Sequence, residues 1–186
     1  WRHVLDHGAG GLWGRDAAKN DAAVATLAAE SIEAHALVCD VGDPDAIAPA
    51  FAASVDAARD GRIDTVFANA GVNGNGTPFL DLDLAEWHRV LRVNLDGTFL
   101  TLQTAARHMV ERGGGSLVAV SSTSAVHGAA GNEAYGTSKT ALLGLVRALA
   151  VGLARHQIRV NALLPGWTIT DMSAAGYAWD RFREAT

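Results

Sequence analysis

The stretch that decides the fold is SLVAVSSTSAVHGAAGNEAYGTSKTALLGLVRALAVGLARHQIRVNALLPG, residues 116–166. It begins with an apolar run at Ser116–Ser121, continues through a helical pattern at Ala134–His156 and ends with a second apolar run at Ile158–Leu164. A strand, a long helix and another strand in this order predict a βαβ unit with parallel strands. The sequence therefore indicates an α/β protein.

The same alternation extends upstream from residue 116. Apolar runs there predict strands at Ala36–Cys39 and Thr65–Ala68. The helical patterns between the strands lie at Pro44–Arg59, Leu84–Val93 and Thr98–Arg112. Nearly continuous apolar strands are typical of a sheet that helices cover on both faces. We expect a doubly wound, Rossmann-like parallel sheet in three layers.

We expect pieces of that fold to be missing at both ends of the given sequence. A doubly wound nucleotide-binding sheet begins with a strand that leads into a glycine-rich phosphate loop. Here Val4–Ala9 resembles the tail of a helix, and Gly11–Arg15 resembles a short second strand with its turn. Trp179–Phe182 starts a helical pattern, and no closing strand follows it. We expect residues 1–186 to form one domain that lacks the first strand, its loop and the last strand.

The glycine cluster Gly8–Arg15 could itself be taken for the phosphate loop, but three features oppose this interpretation. No β-branched strand precedes it, Leu12 stands where the fingerprint requires a glycine, and Asp40 follows only 32 residues after Gly8. That interval would have to hold two helices and two strands. If the strand ends at Arg15, the following 25 residues need to hold only one helix and one strand.

Composition argues against several classes of function. The net charge of −5 and the scattered Lys and Arg residues do not suit a nucleic-acid surface. No apolar stretch approaches the roughly 20 residues that span a bilayer, so we expect no membrane insertion. The single cysteine, Cys39, is read as a core residue, which favours a reducing cytoplasm. The seven histidines show no pair at metal-ligand spacing with a carboxylate, so no metal site is expected.

The residues that carry chemistry are Ser122, Tyr135 and Lys139. Tyr135 and Lys139 are four residues apart and therefore share one face of a helix. A tyrosine with a pKa of about 10 is a poor base at neutral pH, and a neighbouring cation favours its phenolate. Ser122 follows an apolar strand, where open α/β sheets bind ligands, and can hydrogen-bond a substrate oxygen. A Tyr-x-x-x-Lys pair alone could be a solvated helix face.

With further motifs in the same order, this set resembles the short-chain dehydrogenase/reductase family from about residue 11 to residue 172. Asn69-Ala70-Gly71 is similar to the turn that supports the family's central sheet beside the cofactor. Asn94 matches the fourth catalytic residue, whose backbone helps hold a water that links Lys139 to bulk proton exchange. The main departure from the family pattern is the glycine-rich loop, which we expect to be missing from the given sequence.

Two more motifs resemble segments that contact the cofactor in this family. One is similar to the pair that meets the adenine ring, and the other to the turn that cradles the nicotinamide. The first motif is Asp40-Val41, and the second comprises Pro165, Gly166, Thr168 and Thr170. The family commonly has an aliphatic residue where this chain has Thr168.

The resemblance implies a nicotinamide-dependent oxidoreductase that interconverts a small-molecule secondary alcohol and a ketone. Tyr135 and Lys139 would then contact the cofactor as well as the substrate oxygen. A sugar or polyol, an acyl carrier thioester and a hydrophobic ketone all remain open as substrates. The helices Thr98–Arg112 and Ala134–His156 are those that the family pairs across a dyad, commonly in tetramers, and their surplus of apolar residues favours a homo-oligomer.

The cofactor choice depends on Arg15, which ends the predicted second strand beside the adenosine ribose. An arginine there can pair with a 2′-phosphate, which favours NADP over NAD. Asp16 weakens the prediction if its carboxylate turns inward, and Arg15 could also stack on the adenine without discriminating.

Two other functions are weighed against this one. A sugar-nucleotide epimerase or dehydratase of the extended branch shares Tyr-x-x-x-Lys, but usually needs a further substrate domain, and the compact Asn69-Ala70-Gly71 pattern argues against it. A catalytically silent dinucleotide-binding regulator would be expected to lack Tyr135 or Lys139, and both are present.

Overall fold

The computed structural model describes residues 10–168 and 170. Two predictions lie outside the described residues: the helix tail at Val4–Ala9 and the helix start at Trp179–Phe182. The strands are β1 (Gly10–Gly14), β2 (Ala34–Val38), β3 (Thr65–Ala68), β4 (Gly115–Val120) and β5 (Ile158–Leu163). The α-helices are α1 (Ala17–Ala29), α2 (Pro44–Ala57), α3 (Leu84–Leu91), α4 (Gly97–Glu111), α5 (Ser124–His127) and α6 (Glu133–Leu153).

Every strand pairing in the described part of the chain is parallel. β1 pairs with β2, and β4 lies between β3 and β5 in a second, three-stranded sheet. Helices connect the paired strands, as parallel pairing requires. The predicted α/β class is therefore confirmed. The glycine cluster is also explained, because Gly10–Gly14 is a strand in register with Ala34–Val38 and not a phosphate loop.

Local chemistry sets several boundaries. Asp43 caps α2 by accepting a hydrogen bond from the backbone N–H of Asp45, and α2 ends at Ala57 instead of the predicted Arg59. Gly113 and Gly114 have φ values of 85° and 122°, so the chain turns sharply between α4 and β4. At the same end of the sheet, next to Gly114, Gln157 adopts the left-handed conformation that leads into β5.

The predicted gap between Leu84–Val93 and Thr98–Arg112 does not exist. A π-helical turn at Arg92–Asp96 joins α3 and α4 into one continuous helical segment. Such turns insert a residue into the helical ladder and often occur at functional sites. This one carries Asn94, which is fully buried.

The core lies between the three-stranded sheet and helices α2, α4 and α6. Its largest fully buried apolar side chains are Ile47, Leu102, Met109, Leu117 and Leu142. Burial alternates along β5, where Ile158 and Val160 are buried while Leu163 is 52% exposed. Coverage on both faces, expected from the apolar strands, is therefore not seen along β5 in the described residues.

Helix α6 has many apolar residues on the side that faces away from the core. By length and composition alone, residues 133–156 could span a bilayer, and only 22% of the apolar window is buried. The expectation that no apolar stretch approaches this length is therefore wrong. The helix packs Leu142 and Val146 into the core, so the remaining apolar surface lies on its outer side.

Candidate active site

The residues singled out by sequence follow the carboxyl ends of the strands. Arg15 follows β1, Asp40 lies two residues after β2, Asn69 follows β3 and Ser122 lies two residues after β4. The carboxyl ends of parallel strands meet at the same edge of a sheet, where open α/β folds bind ligands. The fold therefore gathers these side chains at one edge of each sheet.

Helix α6 places Tyr135 and Lys139 side by side, one turn apart. The Lys139 ammonium lies 5.6 Å from the centroid of the Tyr135 ring. Lys139 is only 4% exposed and is the one charged residue among the buried residues of the described chain. Its Nζ donates a hydrogen bond to the Val120 carbonyl at 2.7 Å, so the side chain is held against the end of β4.

Burial governs the protonation of Lys139. Loss of hydration lowers the pKa of this ammonium from its usual 10.5 to about 8. The backbone of Gly71 approaches the same group, because a Cβ at that position would lie 3.4 Å from Nζ and 3.3 Å from the Asn94 Oδ1. A glycine at residue 71 therefore leaves room beside the ammonium.

The two serines after β4 have different environments. Ser121 donates its hydroxyl hydrogen to the Lys139 carbonyl at 2.7 Å and so attaches β4 to α6. The Ser122 Oγ accepts a hydrogen bond from the Ser124 N–H at 3.1 Å, and its own hydroxyl hydrogen is available to donate. Ser122 is 9% exposed at the end of the strand. It is the serine whose hydrogen can bind a substrate oxygen.

The side-chain amide of Asn94 makes three hydrogen bonds. Its Oδ1 accepts from the Val72 N–H at 2.8 Å, and its Nδ2 donates to the Val72 carbonyl and the Ser138 hydroxyl, both at 3.0 Å. Ser138 in turn donates to the Tyr135 carbonyl at 2.7 Å. The amide therefore joins the π-helical turn, the segment after β3 and the helix that carries Tyr135.

A second group of side chains holds the segment after Val72 from helix α3. The Arg89 Nη2 donates to the Asn73 carbonyl at 2.8 Å, and the Asn75 N–H donates to the Glu86 Oε1 at 2.8 Å. Arg89 also binds Glu86 through two hydrogen bonds of 2.6 and 2.9 Å. The bond from Arg89 lowers the pKa of the Glu86 carboxyl, while Glu86 raises that of Arg89.

The residues predicted to meet adenosine lie in a more open region. The Arg15 Nη1 is 4.0 Å from the Asp40 Oδ2, and the two side chains are 66% and 47% exposed. Asp40 also accepts from the Gly42 N–H at 2.9 Å, which fixes the turn after β2. Val41 lies against α4, since a Cβ at Gly97 would be 2.6 Å from the Val41 carbonyl oxygen.

The remaining predicted residues are exposed or half-buried. Asn69 and Ala70 are exposed directly after β3. The Pro165 carbonyl accepts from the Thr123 N–H at 3.0 Å, which joins the turn after β5 to the segment that follows Ser122. Gly166, Thr168 and Thr170 are exposed.

Sequence reasoning assigned no role to Ser121, Ser138, Asn132, Glu86 and Arg89. Their functions depend on contacts across the fold, which no local spacing encodes. One signal was available for Glu86 and Arg89, because opposite charges three residues apart on a helix form a pair. Among residues 10–168 and 170, no group of three or more His, Cys, Asp or Glu residues is arranged to hold a metal ion.

Parallel strands joined by helices, with polar groups at the strand ends, are typical of Rossmann-type folds, and comparison with known proteins narrows the class. The family model described as enoyl-(acyl carrier protein) reductase matches residues 6–186. The chain is 39% identical over 153 residues to dehydrogenase/reductase SDR family member 4 of Sus scrofa, covering 82% of this chain and 54% of the relative. The chain spans about half the length of the curated relatives it matches.

Two solved structures are similar over most of the chain. Gluconate 5-dehydrogenase from Burkholderia cenocepacia, in complex with NADP and tartrate, superimposes with a TM-score of 0.85 at 28% identity, covering 94% of this chain and 68% of that one. NAD+-bound xylitol dehydrogenase gives 0.86 at 32% identity, covering 97% and 66%. The chain belongs to the short-chain dehydrogenase/reductase family, whose members are oxidoreductases.

Proposed function

We propose that the intact protein interconverts a secondary alcohol and a ketone with a nicotinamide cofactor, using Ser122, Tyr135, Lys139 and Asn94. The observation that carries the proposal is the buried Lys139 ammonium, 5.6 Å from the ring of Tyr135 and held by the end of β4. Burying a cation without a carboxylate partner lowers the stability of the fold. Such a group is therefore expected to have a functional purpose. Beside a phenol, that purpose is to favour loss of the phenolic proton.

The residues at the strand ends fit a dinucleotide. Arg15 and Asp40 provide a cation and an anion at the carboxyl ends of β1 and β2, Asn69 follows β3, and Lys139 lies beside the close backbone approach of Gly71. When bound, the nicotinamide would supply or accept the hydride. Similar solved proteins contain NADP in one case and NAD+ in another, which supports a cofactor of this class.

The chain's own groups would handle the proton and the substrate oxygen. In reduction, the Tyr135 hydroxyl gives its proton to the oxygen of the carbonyl, and in oxidation the phenolate takes it back. Ser122 donates a hydrogen bond to the same oxygen as negative charge develops on it. Asn94, through Ser138 and Val72, keeps the helix and the neighbouring segment in place.

We infer that NADP is preferred over NAD. The Arg15 guanidinium is exposed after β1 and can reach a 2′-phosphate with two donors. Asp40 reduces this preference, because its carboxylate lies 4.0 Å from the same guanidinium and competes with the phosphate for it. Asp16, whose inward turn would have opposed a phosphate, instead caps α1 by accepting from the Lys19 N–H.

We also propose a homo-oligomer that covers the outer sides of α4 and α6. On α6, Gly144, Ala148 and Gly152 are exposed at four-residue spacing, and Val151 is 82% exposed. Small residues on one helix face allow another helix to approach closely, and symmetric pairing would bury them. Light scattering of the full-length protein at micromolar concentration tests this, and a clean monomer would contradict it.

The activity is tested by offering the full-length protein NADPH or NADH with a panel of carbonyl compounds that spans polyol-derived ketoses, acyl thioesters and hydrophobic ketones. We expect absorbance of the reduced nicotinamide to fall with at least one substrate class, and to rise when the matching alcohol is offered with NADP. Absence of turnover in both directions across the panel, with the protein folded, would argue against the proposed function.

A further inference from the structure

Asn132 lies directly before α6, in the position where an asparagine side chain usually caps the helix. Its side chain makes no capping bond there. Instead, its Oδ1 accepts a hydrogen bond from the Gly74 N–H at 2.8 Å, across 58 residues of sequence. Its Nδ2 lies 3.4 Å from the Asn73 Oδ1. The amide is therefore used to attach a distant segment to the start of the helix that carries Tyr135.

The contact requires a glycine in the distant segment. A Cβ at Gly74 would lie 2.9 Å from the Asn132 Oδ1, closer than such atoms approach in real structures. With any side chain at residue 74, the Asn132 amide would have to shift from its present position. The hydrogen bond therefore depends on both residue types, an asparagine at 132 and a glycine at 74.

Asn132 is one of four side chains that fix consecutive backbone groups of residues 72–75. Asn94 binds both backbone groups of residue 72, Arg89 binds the carbonyl of residue 73, and Glu86 binds the N–H of residue 75. The segment begins next to Gly71, whose backbone lies beside the Lys139 ammonium. It therefore runs from Lys139 to a residue three positions before Tyr135.

We propose that Asn132 is a positioning residue that holds residues 72–75 as a preformed wall of the substrate site. The inference rests on the proposed function for the identity of that site. A substrate oxygen bound to Tyr135 brings the rest of the molecule beside this wall. A wall that is already ordered costs no conformational entropy when the substrate binds, which favours affinity and correct orientation.

Three substitutions separate this role from two simpler ones. Asn132→Asp keeps an oxygen that can reach Gly74, Asn132→Leu keeps the volume, and Asn132→Ser keeps a short group that can cap α6 but cannot reach Gly74. If Asn132 holds residue 74 through its side-chain oxygen, only the aspartate variant should keep the wild-type Gly74 exchange and substrate KM. A space-filling role predicts that leucine does, and a capping role predicts that serine does.

The first measurement is amide hydrogen exchange of Gly74 in the full-length protein without substrate. We expect exchange about tenfold faster in Asn132→Leu and Asn132→Ser, because one partly buried hydrogen bond is lost, and near wild-type exchange in Asn132→Asp. Unchanged Gly74 protection in the leucine and serine variants would overturn the proposal. This result does not depend on turnover, so it is independent of whether the proposed function is correct.

The second measurement is steady-state kinetics with the best substrate of the panel. We expect the KM for the substrate to rise about tenfold in the leucine and serine variants, with the KM for the cofactor unchanged within twofold and the aspartate variant near wild type. Loss of Gly74 protection with an unchanged substrate KM would show that the segment is ordered for another reason, and would overturn its role as a wall.

Discussion

Two regions of this molecule differ in how much of their polar chemistry is already fixed. Around Tyr135, the buried polar cluster of Asn94, Ser121, Ser122, Ser138 and Lys139 is bonded across four elements. In the region of β1, β2 and α1, no residue of α1 is buried, and the ion pair of Arg15 and Asp40 is open to solvent. The fold therefore fixes the surroundings of the groups proposed to transfer the proton, while the proposed cofactor choice would depend on a few exposed charges that can change without disturbing the core.

The largest effect is expected at the centre of the polar cluster. Tyr135→Phe should lower turnover about 10³-fold, because it removes only the hydroxyl that exchanges the proton. Cofactor affinity, measured by fluorescence titration, should stay within twofold. More than a tenth of wild-type turnover in Tyr135→Phe would remove this residue from its role.

The second prediction concerns the stability that the cluster loses by burying Lys139. Its folded-state pKa of about 8 lies below the unfolded value of 10.5, so between these values the unfolded chain binds more protons. Stability from this residue should therefore rise with pH from about 8 to 10.5, by about 3 kcal/mol in total. Lys139→Met should abolish turnover, unfold at higher urea concentration at pH 7 and lose this slope.

Urea unfolding of wild type and Lys139→Met at pH 7 and pH 9.5 tests this prediction. The difference between the two proteins cancels groups that titrate in both. A difference in unfolding free energy that does not change between the two pH values would mean that Lys139 is hydrated in the folded protein. The buried cluster and the open region of Arg15 and Asp40 would then differ less in their exposure to water than the structure indicates.

The third prediction is made in the open region. Arg15→Ala should lower kcat/KM for NADP about tenfold and leave that for NAD within twofold, because a charged hydrogen bond to phosphate is lost. Asp40→Asn should act oppositely for NADP, since it removes the carboxylate that competes for Arg15. A wild-type preference for NAD, or an NADP preference unchanged in Arg15→Ala, would contradict the assignment.

The difference between the regions also explains what the sequence could predict. Tyr135 and Lys139 are four residues apart on one helix, so local periodicity placed them together, and the apolar runs located β3 with its observed bounds. Asn132 and Gly74 are 58 residues apart, and only the folded chain brings them into contact. The π-helical turn was missed for a related reason: its extra residue shifts the helical period, so one continuous helix resembled two.

The smallest effect is expected where β1 of the open region packs against α2 and, through α2, against α4. Trp13 of β1 packs edge-on against Phe51 of α2, with ring centroids 6.4 Å apart, and Phe51 packs edge-on against His108 of α4 at 5.6 Å. The His108 Nε2 accepts a hydrogen bond from the Ile63 N–H at 3.2 Å, which requires the neutral ring. Burial and the nearby Arg112 lower the pKa of His108, so the neutral form is favoured in the folded state.

Because the unfolded histidine has a pKa of about 6.5, stability from His108 is present above that pH and is lost as the pH falls through it toward the lower folded value. His108→Gln keeps an oxygen that can accept from Ile63 and cannot be protonated. From pH 7.5 to pH 5, the unfolding free energy should therefore fall further in wild type than in His108→Gln. The difference should be at most about 1 kcal/mol, since the ring is only partly shielded from water. Exchange of the Ile63 amide should accelerate over the same range in wild type alone. Equal acid sensitivity in the two proteins would mean that the contact between His108 and Ile63 does not depend on the charge of His108.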